Sequence, residues 1–437
     1  MDRKTCRLED LAAKGRSIIS GPFGSSIGSR FFQSEGIPVI RGNNLTTDHK
    51  KFVEEGFAFV SLEKAEELNA YALRDDILFT AAGTIGQVGI IPRNSRFERY
   101  VISNKQLRIR IDTEKADPDF VFYWLASPWI FETIQNRNTG STVPLINLGT
   151  IRGLPVVLPG DVEVQKKVSA LLGSIDAKIE LNNRINAELE GMAKLLYDYW
   201  FVQFDFPMTA AQAAAMGKPK LKGQPYRASG GKMIYNETLK REIPEGWTDG
   251  KFSNFCSLNS KTWGNSDYPD SVNYVDLANT KNGRINKVVT YSKEDAPSRA
   301  QRVLRAGDTI LGTVRPENCS FACVPVAEKT LTASTGFAVL TPNTPTHREF
   351  NYIGLTSASN IKRLSVIASG AAYPAVNPEV VAAMQIPIPP KQLIEDYHKA
   401  TGASFDLIEN NENQNQELTQ LRDWLLPMLM NGQVRVE

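Results

Sequence analysis

The chain has 437 residues, 42% hydrophobic and 22% charged, with a formal net charge of +2. That balance excludes a disordered chain and suits two globular domains of roughly 150–200 residues plus connectors. No run approaches the ~18–20 consecutive apolar residues of a membrane span. We therefore expect no signal peptide, no membrane contact and a cytoplasmic location.

In chain order, the first half alternates short β-rich runs with turn signals. Gly21-Pro22-Phe23-Gly24-Ser25-Ser26 is a loop, 37–40 a strand, and Arg41-Gly42-Asn43-Asn44 a second loop. Strands follow at 77–80, 88–91 and 107–111, with the loop Gly83-Thr84-Ile85-Gly86 between the first two. A helix covers 120–125, and a loop from Thr139 to Asn147 leads to Pro159. This gives a first domain over 1–160 and a spacer helix over 161–203. A stretch from 204 to 242 reads as linker: Ala210–Ala215 suits a short helix, while the Gly, Lys and Ser residues at 217–223 and 229–231 suit exposed loop. A second domain over 243–390 offers strands at 272–277, 309–314, 321–326 and 336–340 and a helix at 350–356. A second spacer helix runs from 391 to 437. The fold class is α+β, with strand-rich curved sheets and few regular helices.

The two halves repeat each other at an offset of about 230 residues. Gly140, Pro144 and Asn147 fall on Gly370, Pro374 and Asn377, and Pro159 on Pro389. The run 118–125 falls on 348–355, and Asp76-Ile77-Leu78 on Asp308-Thr309-Ile310, two residues out of step. In the first spacer helix Val168, Leu171, Ile175, Ile185, Leu189, Met192, Leu196 and Tyr199 follow a coiled-coil seam, with Lys178 and Asn182 at its two central positions. The second has Phe405 and Ile408 at its head, Leu418, Leu421, Leu425 and Met428 at its tail, and a polar run, 409–416, between. Two helices with apolar ends and polar middles should pair with each other in register. Gly432 gives the second a stop signal, and Pro427 should kink or fray its last turn.

Chemistry concentrates in the loops. Ser25, Arg41, Asn43, Asn44, Thr84, Ser141 and Thr142 in the first half, and Asn279, Lys281, Arg284 and Arg315 in the second, supply guanidinium forks, amides and hydroxyls. These suit phosphate oxygens and base edges. The small net charge permits DNA without demanding it, because a few placed cations suffice. The spacer stretches are acidic, with 5 Lys+Arg against 7 Asp+Glu over 161–200 and 4 against 8 over 391–437. The cysteines Cys6, Cys256, Cys319 and Cys323 are scattered, and the histidines His49, His347 and His398 stand apart, so no metal site is expected. There is no phosphate-binding loop, no Asn-Pro-Pro-aromatic run and no nucleophile–base set, so we expect no catalysis by this chain.

The doubled order, the Thr139-Gly140-Ser141-Thr142-Val143-Pro144 loop, the Pro159 exit and the helix ending 195–204 resemble the specificity subunit of type I restriction–modification systems. Gly21-Pro22-Phe23-Gly24-Ser25 and Arg41-Gly42-Asn43-Asn44 look like signatures of that family; in the second half Ala371-Ala372 replaces Ser-Thr. The resemblance implies two similar target-recognition domains separated by two long antiparallel coiled-coil-like helices, each domain reading one half of an asymmetric site in double-stranded DNA. It also implies two methyltransferase subunits bound through the helices and, in the full complex, restriction–translocase subunits. S-adenosylmethionine, ATP and magnesium would then sit on the partners and no cofactor on this chain. A recognition subunit of a related restriction system, or a non-enzymatic protein scaffold, remains the alternative.

Overall fold

The computed structural model describes residues 3–264, 266–325, 328–370 and 374–436. The chain divides into two compact units, Met1–Leu181 with Gln414–Glu437, and Asn182–Asn413. Each long helix, Val162–Tyr197 and Lys391–Asn431, contributes one part to each unit.

In the first unit, β1 (Arg3–Arg7) pairs antiparallel with the strand Pro155–Pro159. Two four-stranded sheets follow from β2 (Ile18–Ser20), β3 (Ile37–Ile40), β4 (Ala58–Val60), β5 (Tyr71–Leu73), β6 (Ile77–Thr80), β7 (Val88–Ile90), β8 (Arg99–Ile102) and β9 (Gln106–Ile109). Their orders are β2-β9-β6-β7 and β4-β3-β8-β5, with only the β3–β8 pairing parallel. The strand at Pro155–Pro159 is β10. Side chains alternate across β6: Ile77 and Phe79 enter one apolar cluster with the helix Pro118–Leu125, and Leu78 enters another with Val39, Tyr100 and Ile102. Burial on both faces explains why this strand reads as a continuous apolar run.

The second unit repeats the plan. It contains β11 (Met233–Asn236), β12 (Arg241–Pro244), β13 (Thr248–Lys251), β14 (Cys256–Leu258), β15 (Ser271–Val275), β16 (Thr280–Lys281) and β17 (Arg284–Ile285). It continues with β18 (Val289–Ser292), β19 (Ala300–Val303), β20 (Thr309–Gly312), β21 (Phe321–Cys323), β22 (Leu331–Ser334), β23 (Phe337–Pro342) and β24 (Gln385–Ile388). The sheets β14-β23-β20-β21 and β18-β15-β22-β19 match those of the first unit position for position, again with one parallel pairing, β15–β22. β13 pairs with β24 as β1 does with β10. The helices Pro118–Leu125 and Leu148–Arg152 recur as Arg348–Leu355 and Pro378–Ala382. The repeat seen in the sequence is thus a repeat of topology. The expected strand end Val326 and the pair Ala371-Ala372 lie outside the described residues.

The two long helices run antiparallel, and their meeting face differs from the expected seam. In the first unit Arg422 donates to Asp176 at 2.9 Å, while Val168, Leu172, Leu426 and Leu429 join one core. In the second, Asn411 donates to Asn186 at 2.8 Å and the Tyr397 hydroxyl to the Ala193 carbonyl at 2.9 Å. The buried line on the first helix is therefore Val168, Leu172, Ile175, Asn182, Asn186, Ala193 and Tyr197. Lys178 is exposed, as are Met192 (68%), Tyr199 and, on the second helix, Leu421. Size decides this: the methyl side chain of Ala193 permits the close approach that Tyr397 makes, and Met192 would not. Pro427 does not fray the last turn, since the helix continues past it to Asn431. Leu426, Leu429 and Met430 are buried around it, and the Arg3 guanidinium donates to the carbonyls of Leu429 and Met430. Gly432 then ends the helix at φ +70°.

The stretch 204–242 is only partly the exposed linker expected. Lys218, Pro219, Lys220, Lys222 and Gly223 are exposed, and Ala210–Ala215 is helical. Phe204, Phe206, Met208 and Tyr226, however, belong to the core of the second unit, with Phe206 stacked on Tyr226 at 4.7 Å and on Trp247 at 5.5 Å.

Candidate nucleic-acid interface

In the first unit the candidate residues sit on loops that are hydrogen-bonded to one another. The loop after β6 meets the 139–147 loop through an Ala82–Leu145 bridge, Ile146 N–H to Ala81 O (2.8 Å) and Gly83 N–H to Pro144 O (2.9 Å). Gly83 and Gly86 have φ of +91° and +94°, and a Cβ on Gly86 would lie 2.5 Å from the Phe131 ring. Glycine is therefore required at Gly86. Thr84, Ser141 and Thr142 are all exposed on this joined surface.

The Arg41 loop joins the same surface. Thr46 bridges Val88, and the Gln87 amide donates to Leu45 O at 2.8 Å. Asn44 is buried: its oxygen accepts the Arg41 N–H at 2.9 Å and its amide donates to Val53 O and Glu55 O. Its polar atoms are spent on shaping the loop, so Asn44 is a positioning residue and not a contact. Asn43 is exposed and half-engaged with Gly56 O at 3.3 Å. The Arg41 guanidinium donates one arm to Gly56 O at 2.6 Å, which fixes the fork and leaves further donors. Two buried polar atoms, Arg41 Nε and Gln106 Nε2, have no hydrogen bond among the described residues. Both lie at the foot of this loop, since the Gln106 amide sits 4.0 Å from a Cβ placed on Gly42.

Ser25 is exposed on a 3-10 turn, Gly24–Ser26, whose position is set by the turn at 103–106. Gly21 N–H donates to Gln106 O at 2.9 Å, and a Cβ at Gly21 would lie 1.8 Å from Ser103 O. The same turn gives Lys105 O to Ala81 N–H (2.7 Å) and takes Ile40 O through Ser103 N–H (2.9 Å). Sequence reasoning missed Asn104 and Lys105, both exposed there, and Gln87 and Gln106 beneath. An -Asn-Lys- turn following a strand was the available signal.

In the second unit, Arg315 stands where Gly83 stands in the first. A Val314–Ala375 bridge and Val376 N–H to Thr313 O (2.9 Å) repeat the bonds of the first unit, and Arg315 N–H donates to Pro374 O at 2.8 Å. Arg315 is exposed, with φ +48°. The β16–β17 hairpin attaches to the segment after Arg315 through Asn282 N–H to Cys319 O (2.8 Å) and Gly283 N–H to Phe321 O (2.9 Å). Asn279 is half-buried, its backbone engaged with Asp276 and Asn286. Lys281 and Arg284 are exposed but line a cavity of about 470 Å³ that also holds Glu190, Glu409 and Glu412. The Arg284 guanidinium donates to Asn183 O at 3.3 Å. Burial pushes the Glu412 carboxyl up to about 7, with Arg284 opposing and Glu190 and Glu409 adding to the rise. The positive charge of Arg284 is thus directed largely at this chain's own acids. Among the described residues no group of His, Cys, Asp and Glu is arranged to hold a metal ion, and no helix is long and apolar enough to cross a membrane.

Comparisons with known proteins find the same doubled two-sheet fold and a named domain in its first half. Residues 3–191 match the type I restriction modification DNA specificity domain. The first part of the chain thus carries this specificity domain, and the chain as a whole is similar to type I restriction enzyme specificity subunits. It is 25% identical over 396 residues to the Type I restriction enzyme HindI specificity subunit of Haemophilus influenzae, covering 79% of this chain and 85% of that protein. It is 22% identical over 410 residues to the MjaIX specificity subunit of Methanocaldococcus jannaschii, covering 92% and 87%. Its fold is similar to the crystal structure of a type I restriction–modification S subunit from M. genitalium, with a TM-score of 0.54 at 13% identity over 98% and 96% of the two chains.

Proposed function

We propose that this chain is the non-catalytic specificity subunit of a type I restriction–modification enzyme, that it recognises a bipartite, asymmetric DNA site, and that it directs methyltransferase and restriction subunits there. The observation that carries the proposal is the doubled topology with corresponding loops of different sequence. The bridge at Ala82–Leu145 presents Thr84, Ser141 and Thr142, and its counterpart at Val314–Ala375 presents Arg315. Two related folds with unlike loops suit two unlike half-sites. In the first unit Arg41, Asn43 and Ser25 complete the contact surface; in the second, Asn279 and Lys281 flank Arg315. S-adenosylmethionine, ATP and magnesium belong to the partners in this reading.

The long helices are the surface for the methyltransferase subunits. In the second unit Met192, Leu195 and Tyr199 are exposed, and in the first Leu421 and Trp424. Large apolar side chains at successive turns are more than isolated surface hydrophobics.

The test is duplex retention by the purified chain with and without co-expressed methyltransferase subunits, titrated with salt. Retention at low salt should weaken as salt rises, and Arg41→Ala or Arg315→Ala should reduce it. No retention even at low salt would remove the DNA reading. Methyl transfer by the chain alone would contradict the non-catalytic assignment.

A further inference from the structure

Phe23 is the most exposed large apolar side chain among the described residues, at 88%. An isolated exposed hydrophobic residue is ordinary. What sets Phe23 apart is the rigidity of its backbone. Gly21 is packed so closely on Ser103 that no side chain fits, and Gly24 lies against the Asn104 amide, 3.0 Å from a Cβ placed there. Phe23 O accepts the Ser26 N–H at 2.9 Å, opening the turn that delivers buried Ile27 to the core. The loop is clamped on both sides of the ring, and the ring is left in water.

The clamp is the turn at 103–106, which also holds Ile40 at the root of the Arg41 loop and Ala81 at the root of the Thr84 loop. Phe23 therefore continues the polar surface of Ser25, Asn104, Lys105, Arg41 and Thr84. An apolar ring fixed among donors and cations matches the chemistry of duplex DNA, in which apolar base faces lie beneath phosphates. Proteins that insert an apolar wedge at a base step hold it in this way, and the cations around it keep the backbone close.

We propose that Phe23 is a wedge that inserts at one base step of the half-site read by the first unit, opening that step on binding. The proposal rests on the DNA reading above. The strand β14, which corresponds to β2, is followed by Asn259-Ser260-Lys261-Thr262-Trp263-Gly264, and there Trp263 is half-buried with its indole N–H donated to the Thr332 hydroxyl at 2.9 Å, so this ring is engaged within the chain. The deformation is therefore confined to one half-site, and flexible pyrimidine–purine steps are favoured there.

The experiment uses the full chain with its methyltransferase partners and duplexes carrying the methylated site, with 2-aminopurine placed at successive positions. Wild-type protein should raise the fluorescence at one step in the first unit's half-site and at none in the other. Phe23→Ala should abolish the rise and weaken binding about tenfold, the order expected for one aromatic–base contact, with an unchanged salt slope. Phe23→Trp should retain both. The free variants should melt with the wild type, since the ring contributes little to packing. If wild-type protein binds but Phe23→Ala matches it in affinity and fluorescence, the wedge is overturned. If Phe23→Ala instead loses the methyltransferase partners and keeps its grip on DNA, the ring is a protein contact and the wedge is again overturned. Failure of the wild type to bind any duplex removes the DNA reading itself, a separate outcome.

Discussion

At the scale of single residues, the duplication supplies its own controls. Asp76 and Asp308 occupy matching places ahead of β6 and β20, and both are fully buried. Asp76 is bound by the Arg110 guanidinium at 2.7 and 2.8 Å. No ion pair reaches Asp308 among the described residues; it accepts the Arg305 N–H at 2.8 Å, and burial raises its pKa. Asp76→Asn should therefore lower stability by about 3 kcal/mol, the order for breaking a buried pair, whereas Asp308→Asn should be neutral or stabilising. Thermal unfolding midpoints at pH 7 check this; equal losses would contradict it. Glu412 gives the pH counterpart. Its folded pKa of about 7 lies above the ordinary carboxylate value, so the folded state holds the proton longer than the unfolded one. Stability is then lost as pH rises from about 4.5 through 7, and Glu412→Gln should stabilise at pH 8 but not at pH 4.5. The site was legible at this scale only in part. Arg41, Thr84 and Ser141 stood out because their residue types and neighbouring glycines are exposed-loop chemistry, and Arg315 because the repeat places it at the counterpart of the Gly83 loop. Asn44 reads the same way in sequence, yet its amide is consumed by Val53 and Glu55, nine and eleven residues away, and no local pattern reports that.

At the scale of elements, the helix pair shows what periodicity resolves. Spacing of three and four identified both helices and their polar middle, because that pattern is local. It placed Val168, Ile175 and Asn182 correctly but missed the face by one residue at Leu172 and again from Asn186 onward, because Leu171 and Leu172, like Met192 and Ala193, compete for the same stripe. The winner is set by the partner, where Tyr397 needs a small residue opposite. The polar centre itself makes a prediction. Asn186 and Asn411 bond each other while buried, so Asn186→Leu strands the Asn411 amide and should cost about 1–3 kcal/mol. Asn186→Leu with Asn411→Leu should recover most of that loss, since an apolar pair fills the space without an orphan. If the asparagines fix register, the double variant will also show weaker binding of the methyltransferase subunits despite its stability. A double variant as unstable as the single one would show that the pair is not coupled. The packed part of 204–242 was missed for a related reason. Phe204, Phe206 and Tyr226 are separated by Gly- and Lys-rich loop, so composition spoke for the loop and not for the three rings that bury themselves.

At the scale of the whole molecule, the two units share sheet order, strand direction and the bridge between the post-β6 and post-β20 loops and their partner loops, but not the side chains they expose. Offsets near 230 made the duplication visible because the helices and the Gly, Pro and Asn residues that set loop geometry were kept. The hairpin β16–β17 and the helix Leu62–Leu68 differ between the units, so the divergence lies where contact chemistry would be chosen. This organisation separates the effects of the two halves. If each unit reads its own half-site, a loop substitution should relax the bases of one half and leave the other half intact. Arg315→Ala should broaden the methylated motif only at positions in one half, and Arg41→Ala only in the other, each lost base-edge contact being worth ~1–3 kcal/mol of discrimination. Mapping methylated adenines across the host genome in strains carrying each variant measures this directly. Loss spread over both halves from either substitution would mean that the units read DNA jointly. An unchanged motif with merely less methylation would mean that Arg41 and Arg315 hold phosphates, which position the protein without specifying sequence.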